Sequence, residues 1–448
     1  MLVLKFGGTS VQGASAIARV YELVRERLHR RPVVVVSAMA GVTDELLDLA
    51  HRAAQGEPGM ESLAESHRRV AADLGLTPSL VEGPLRRLDA LLQGIATVGE
   101  LSLRSLDHVA SYGERLSSLL VAAYFARRGV AARAVAADAL GLITDSRFGA
   151  ARPLEGIYGT IARNLVSMRE VPIVTGFIGR DAEGNVTTLG RNGSDLTAAI
   201  LGRAVRAEEI QIWKDVAGIM TADPRLVPAA RPLEELSFEE ACELARCGAR
   251  VIHPACMQPA AEGRVPIRVL NVLDPALPGT LIVFTAKKSP GPVTAIVHRR
   301  QTVIVEAVAS TERDRPDLIA RLADAFRRHD VAIDVLAGSG SSVSVVAVGS
   351  KDLGPIAEEL APIAQVSFRT GMGTLSILGA GLRDGVAARS LASLAQAAIP
   401  AHMMAMTAHR TALGVVVDGE HVERAVRVLH ATFFERGDER GASTTAAL

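Results

Sequence analysis

The chain has 448 residues with 49 basic against 49 acidic, so bulk charge offers nothing to draw nucleic acid or an anionic membrane surface. One Trp and four Tyr leave little for a base-stacking platform, and no apolar run reaches the roughly 18 residues a membrane helix needs. With 48% hydrophobic residues and no charged-then-apolar leader, a cytoplasmic protein of two or three packed domains is expected. The first element is a strand, Met1-Leu2-Val3-Leu4, that runs into Lys5, then Gly7, Gly8, Thr9 and Ser10. Ile17, Val20, Tyr21, Val24 and Leu28 recur at helical spacing, and Pro32 closes that helix. Val33-Val34-Val35-Val36 follows as an unbroken β-branched run, suited to a strand covered on both faces. Further strands are expected at 171–177, 209–213 and 266–271, separated by helical stretches, which is the pattern of an α/β layer sandwich with a largely parallel sheet. Ser237-Phe238-Glu239-Glu240 fits a capping box that opens a helix carrying Cys242 and Cys247. With Cys256 these make an odd number of cysteines at no usual metal spacing, so reduced thiols are expected.

Near residue 285 the texture changes to turn-formers and charge, Ala286-Lys287-Lys288-Ser289-Pro290-Gly291-Pro292, which reads as a linker. Two units of similar length follow. The first has a strand at 303–308, a helix at 316–329, and strands at 332–336 and 343–348. The second has a strand at 374–378, a helix at 386–397, and strands at 402–406 and 412–417, before a last helix at 421–434. Tandem units of this kind read as paired small α+β modules, with a frayed tail at 437–448.

The chemistry concentrates at two glycine-rich turns. Glycines at a strand's end let backbone N–H groups face a ligand with no Cβ in the way, and a lysine beside them adds a full charge. Lys5-Phe6-Gly7-Gly8-Thr9-Ser10 is therefore an anion cradle suited to phosphoryl transfer, although not a Walker A loop, because its lysine precedes the glycines. Thr187-Thr188-Leu189-Gly190-Arg191-Asn192-Gly193-Ser194-Asp195 is a second such turn before a helix, with a guanidinium able to grip a carboxylate or phosphate through two bonds. Taken singly, each turn also fits an ordinary capped loop.

Together with Ser37-Ala38-Met39-Ala40-Gly41-Val42-Thr43, Ser111-Tyr112-Gly113-Glu114-Arg115-Leu116-Ser117, Ile212-Trp213-Lys214-Asp215 through Thr221-Ala222-Asp223-Pro224-Arg225, and Gly248-Ala249-Arg250, these turns resemble aspartate kinases, members of the amino acid kinase family. The resemblance runs in order over about residues 1–436. It implies a three-layer amino acid kinase fold with a mostly parallel central sheet over 1–284 and a linker at 285–300. Two ferredoxin-like (ACT) α+β modules follow at 301–368 and 369–436. The implied reaction takes ATP, as its Mg2+ complex, and L-aspartate to ADP and 4-phospho-L-aspartate. The resemblance also implies a monofunctional enzyme and a homodimer formed through ACT modules that sense an amino acid. By the same resemblance Lys5 neutralises the moving phosphoryl group, Gly7 and Gly8 donate amides, and Ser37 donates near the γ-phosphate. Glu114 pairs the substrate ammonium with Thr43 nearby, Arg191 clamps its α-carboxylate beside Ser194, and Asp195 orients the lysine and arginine. Lys214, Asp215, Thr221, Arg225 and Arg250 lie on the nucleotide side, with Asp223 shaping their loop, and Trp213 is core packing. No metal-ligand motif is expected, since phosphates and waters would hold the ion.

Three departures from the family pattern stand out. Asn192 replaces a glycine, which a left-handed turn tolerates; Lys214 replaces a threonine; and Arg250 replaces a lysine. In the first ACT-like unit, Thr311-Glu312-Arg313-Asp314-Arg315-Pro316 is a bulky, charged helix entry, and Gly338-Ser339-Gly340-Ser341-Ser342 lacks the usual carboxylate. Weak or altered feedback by lysine or threonine is therefore expected. Two other readings stay open, a different amino acid kinase and a non-catalytic sensor; the latter should have lost Lys5, Arg191 or Asp195, and none is lost.

Overall fold

The computed structural model describes residues 1–249, 252–287, 291–311, 315–349, 352–379, 381–382 and 385–435. The chain divides into two compact units. Unit 1 comprises residues 1–219, 234–238 and 251–286, and unit 2 comprises 220–233, 239–250 and 287–448.

Unit 1 alternates as the apolar periodicity predicts. It opens β1 (Leu2–Phe6), α1 (Ala14–Arg25), β2 (Pro32–Val36), α2 (Val42–Ala54), α3 (Glu61–Asp73) and α4 (Ser79–Val98). Next come α5 (Leu103–Ala110), α6 (Tyr112–Arg127), β3 (Ala132–Val135), α7 (Ile157–Val166), β4 (Val171–Thr175) and the hairpin β5 (Ile178–Arg180) and β6 (Val186–Thr188). Then follow α8 (Gly193–Ala204), β7 (Glu209–Lys214), β8 (Glu235–Ser237), α9 (Phe238–Arg246), α10 (Pro254–Glu262), β9 (Ile267–Asn271) and β10 (Thr280–Val283), α9 lying mostly in unit 2. Leu28, the last residue of the expected helical pattern, falls instead in a separate 3-10 turn after α1.

Eight strands form one sheet in the order β3-β4-β2-β1-β7-β9-β10-β8. All neighbours run parallel except β9 and β10. The valines of β2 are wholly buried, as a continuous β-branched run demands when both faces are covered. Because β2, β1 and β7 are parallel and in register (Lys5 opposite Val35 and Ile212), their carboxyl ends open on one edge. In parallel sheets that edge, where the chain leaves β1 with one neighbour on either side, is where ligands bind. Trp213 is buried at the end of β7, stacked on Phe6 at 6.0 Å.

Unit 2 is built on a six-stranded antiparallel sheet in the order β12-β13-β11-β14-β16-β15. Its elements are β11 (Ala295–Ala309), α11 (Arg315–Arg328), β12 (Ala332–Ser339), β13 (Ser342–Val348), α12 (Gly354–Leu360), β14 (Ala364–Leu378), α13 (Val386–Gln396), β15 (Met403–Met406), β16 (Ala412–Asp418) and α14 (Val422–His430). The modules are not simply consecutive. β11 begins at Ala295, inside the stretch read as linker, and its first part pairs with residues 372–378, whereas residues 302–308 pair with β13 and 304–309 with 364–369. Each long strand thus serves both modules, and the second takes its first strand from upstream of the first. A register shift around Gln301, whose φ is +59°, divides the two halves of β11.

Candidate active site

The site grows from the end of β1. Lys5 is buried within unit 1, and its Nζ lies 2.6 Å from Asp195 Oδ1. Gly7 and Gly8 follow, leading into a short 3-10 turn over Gly8–Val11 before the α-helix starts at Ala14. Gly8 must be glycine for lack of room: a Cβ there would lie 2.9 Å from the Ala38 carbonyl oxygen and 3.1 Å from the Ala40 nitrogen. The β1 turn and the Ala38–Ala40 turn therefore pack backbone against backbone, with the half-buried Ser37 at the end of β2 donating its N–H to the Phe6 carbonyl.

Lys214, at the end of β7, reaches the same carboxylate, with Nζ 3.4 Å from Asp195 Oδ2. Burial would raise the Asp195 pKa, but attraction to Lys5 and then Lys214, with their hydrogen bonds, prevails and holds it below the usual carboxylate value. Two ammonium groups share one carboxylate, so the cluster keeps an excess positive charge. It is a seat for an anion, organised by an acid that stays ionised.

Glu114 sits in the first turn of α6, which approaches so closely that a Cβ on Gly113 would lie 2.6 Å from the Ala38 Cβ. The Glu114 carboxyl is fully buried, and among the described residues its Oε2 has no hydrogen-bond partner. Burial raises its pKa from 4.5 to about 8, against the opposing pull of the Ala38 and Glu114 amides and of Lys5. Such an acid is mostly protonated near neutral pH, and a cation arriving beside it would draw it into its charged form. Thr43 is half-buried in the first turn of α2.

The arginine turn joins β6 to α8. Gly190 has φ +73° and Asn192 φ +60°, so the asparagine does adopt the left-handed conformation that a glycine would supply more readily. Ser194 is buried against Gly176, where a Cβ would come within 2.4 Å of the serine Cβ and Oγ. Arg191 is exposed and, among the described residues, forms no ion pair. Phe177, at φ +66°, is a bulky residue in a region that disfavours it; its N–H is held by the Thr197 Oγ1 at 3.1 Å.

Unit 1 thus brings together Lys5, Gly7, Gly8, Ser37, Asp195 and Lys214, and carries Glu114, Thr43, Arg191 and Ser194 on the surrounding turns. Asp215 is exposed just beyond β7. Thr221 and Arg225 belong to unit 2. There the Thr221 hydroxyl is buried, hydrogen-bonded to His430 Nε2 at 3.1 Å and accepting from the Arg231 N–H at 3.0 Å, while Arg225 folds onto Asp223 with bonds of 3.0 and 2.7 Å. Arg250 lies outside the described residues. Two further carboxylates, the buried Asp107 and the half-buried Asp334, escaped the sequence reading. Asp107, on α5, accepts four hydrogen bonds from the segments around the arginine turn. Asp334, on β12, lies 4.0 Å from the Arg299 guanidinium. Burial pushes the Cys247 thiol up to about 11 and Cys256 to about 12, so both stay protonated. Among the described residues no group of three His, Cys, Asp or Glu side chains is placed to hold a metal ion.

Comparison with known proteins agrees with this geometry. The amino acid kinase family model matches residues 1–271, and an ACT domain model matches 375–433. The chloroplastic aspartokinase 1 of Arabidopsis thaliana is 36% identical over 458 residues, covering 97% of this chain and 80% of the plant protein. The chain belongs to the aspartokinases of the amino acid kinase family. The lysine-sensitive aspartokinase 3 of Escherichia coli K12 is 31% identical, covering 97% of this chain and 99% of that one. Among solved structures, E. coli aspartokinase III in complex with aspartate and ADP superposes with a TM-score of 0.79 at 28% identity, covering 96% of this chain and 99% of that one. The same enzyme with lysine and aspartate gives a TM-score of 0.78 at 29% identity, covering 97% and 99%.

Proposed function

We propose that this chain transfers the γ-phosphoryl group of ATP to the side-chain carboxylate of L-aspartate, giving ADP and 4-phospho-L-aspartate. The observation that carries the proposal is the Lys5–Asp195–Lys214 cluster at the carboxyl ends of β1 and β7, beside the glycine-rich turn that leaves β1. An aspartate carboxylate is ionised at neutral pH, so the nucleophile needs no general base. What the reaction needs is relief of repulsion between two anions held in line. Lys5 meets the moving phosphoryl oxygens, the Gly7 and Gly8 amides and Ser37 support them, and Lys214 with Asp215 face the remaining phosphates. Asp195 stays ionised and fixes both ammonium groups. Mg2+ arrives with the nucleotide, held by phosphate oxygens and water.

At the acceptor side Glu114, with Thr43, takes the substrate ammonium, and Arg191, with Ser194, takes the α-carboxylate. The nucleotide roles of Thr221, Arg225 and Arg250 rest on the motif alone. Unit 2 supplies regulation and assembly in this reading. Val308, Ile333, Leu336 and Phe368 expose apolar surface on its strands, which supports a homodimer formed through that sheet. Asp334 already faces Arg299 inside unit 2, and that internal cation competes with an effector ammonium, in keeping with weak feedback. The test is ADP release measured with L-aspartate, L-glutamate and N-acetyl-L-glutamate as acceptors. Turnover confined to aspartate is expected; equal or better use of another acceptor would overturn the assignment.

A further inference from the structure

Among the described residues, Asp107 is a deeply buried carboxylate next to the arginine turn that the proposed mechanism leaves without a role. It lies in α5, 3% exposed, with no basic side chain paired to it among the described residues. Four short hydrogen bonds converge on it. The Gly149 N–H donates to both oxygens at 2.9 Å, the Thr188 N–H donates to Oδ2 at 2.8 Å, and the Thr188 hydroxyl donates to Oδ1 at 2.8 Å. Burying an acid this way is costly, and burial does raise its pKa despite the donors.

The two segments it joins are the ones that set the arginine turn. Thr188 ends β6, three residues before Arg191, and its carbonyl accepts the Ala151 N–H at 2.9 Å. Gly190 packs on the same loop, so tightly that a Cβ there would lie 3.2 Å from the Gly149 carbonyl oxygen. The β5–β6 hairpin stands apart from the eight-stranded sheet and needs such ties to be held in place. Asp107 also precedes Glu114 by seven residues, α5 passing into α6 through Ser111 alone. One short helical segment therefore grips the turn bearing Arg191 at one end and presents Glu114 at the other.

We infer that Asp107 is a positioning residue that sets the gap between Arg191 and Glu114, and so the fit of the α-carboxylate and ammonium of the acceptor amino acid. The inference rests on the proposed roles of Arg191 and Glu114. Asp107→Asn keeps the shape but turns an NH2 group toward N–H donors.

Steady-state kinetics on Asp107→Asn, Arg191→Ala and the double variant test it. Asp107→Asn is expected to raise KM for aspartate at least tenfold while KM for ATP stays within twofold. The double variant should be no worse than Arg191→Ala, since one acts through the other. Turnover of β-alanine, which lacks the α-carboxylate, should be unaffected by either change. Unchanged KM for aspartate, equal rises for both substrates, or additive effects in the double variant would overturn the inference while leaving the proposed reaction standing. A flat result for Arg191→Ala would instead remove the arginine's assigned role and this inference with it. If Asp107→Asn does not fold, Thr188→Val, which removes only the hydroxyl donor, decides: a several-fold rise in KM for aspartate supports the inference, and no change overturns it.

Discussion

Replacing Glu114 by Gln should make the protein more stable and less able to bind aspartate. The folded-state pKa of about 8 stands above the ordinary 4.5, so the native state keeps a proton that the unfolded chain releases. Stability is then fully present below pH 4.5 and is lost progressively as pH rises toward about 8. At pH 7 the buried acid costs about 3 kcal/mol, from about 1.4 kcal/mol per pH unit, and at pH 5 under about 1 kcal/mol. Glutamine escapes this cost, although its amide needs partners of its own, so a net gain of about 2 kcal/mol is expected at pH 7. That corresponds to roughly 4–8 °C in the melting transition of unit 1. Losing a charged hydrogen bond to the substrate ammonium costs about 2–3 kcal/mol, a rise of roughly 30- to 150-fold in KM for aspartate. In the wild type, KM for aspartate should fall about tenfold per pH unit between pH 6 and 8, because binding must first expel the proton; in Glu114→Gln the profile should be flat. Differential scanning fluorimetry across pH, with kinetics on the same samples, reads both effects. A stability gap that does not widen with pH would refute the reasoning.

Other expected outcomes follow from the same geometry. Lys214→Ala leaves Asp195 to Lys5 alone and removes one cation from the anion seat; kcat/KM for ATP should drop by about 10²- to 10³-fold, and an unchanged value would remove Lys214 from the site. Gly8→Ala drives a methyl into the backbone at Ala38 and Ala40 and should cost about 1–3 kcal/mol of stability with a large loss of turnover; normal activity would show that the turn yields. Millimolar lysine or threonine should inhibit weakly, as measured by initial rates and by thermal shift; saturable inhibition would show a competent effector pocket despite the altered helix entry.

Much of unit 1 was legible because its signals are local. The Val33–Val36 run, the Gly7-Gly8 turn and the left-handed Asn192 each follow from a few adjacent residues. The rest depends on partners distant in sequence. Asp107 reads as an ordinary surface acid on a short amphipathic helix, and its role comes from Thr188, 81 residues away, and Gly149, 42 residues away. Thr221 sits in a stretch that reads as a nucleotide motif, yet its hydroxyl bonds to His430, 209 residues on. The upstream half of β11 was hidden by the Pro- and Gly-rich residues before it and by the basic run His298-Arg299-Arg300, which disguise a strand whose partner lies in the next module. Asp334 was missed because the sequence reading sought its carboxylate after the second strand of the module, not within it.

The central claim, that Lys5, oriented by Asp195, stabilises a phosphoryl group passing from ATP to aspartate, is tested most directly by trapping the acyl phosphate. Hydroxylamine added to enzyme, MgATP and L-aspartate should yield aspartyl hydroxamate, dependent on both substrates and reduced at least a hundredfold in Lys5→Ala. Absence of the hydroxamate from active wild-type enzyme, or an undiminished yield from Lys5→Ala, would contradict the account.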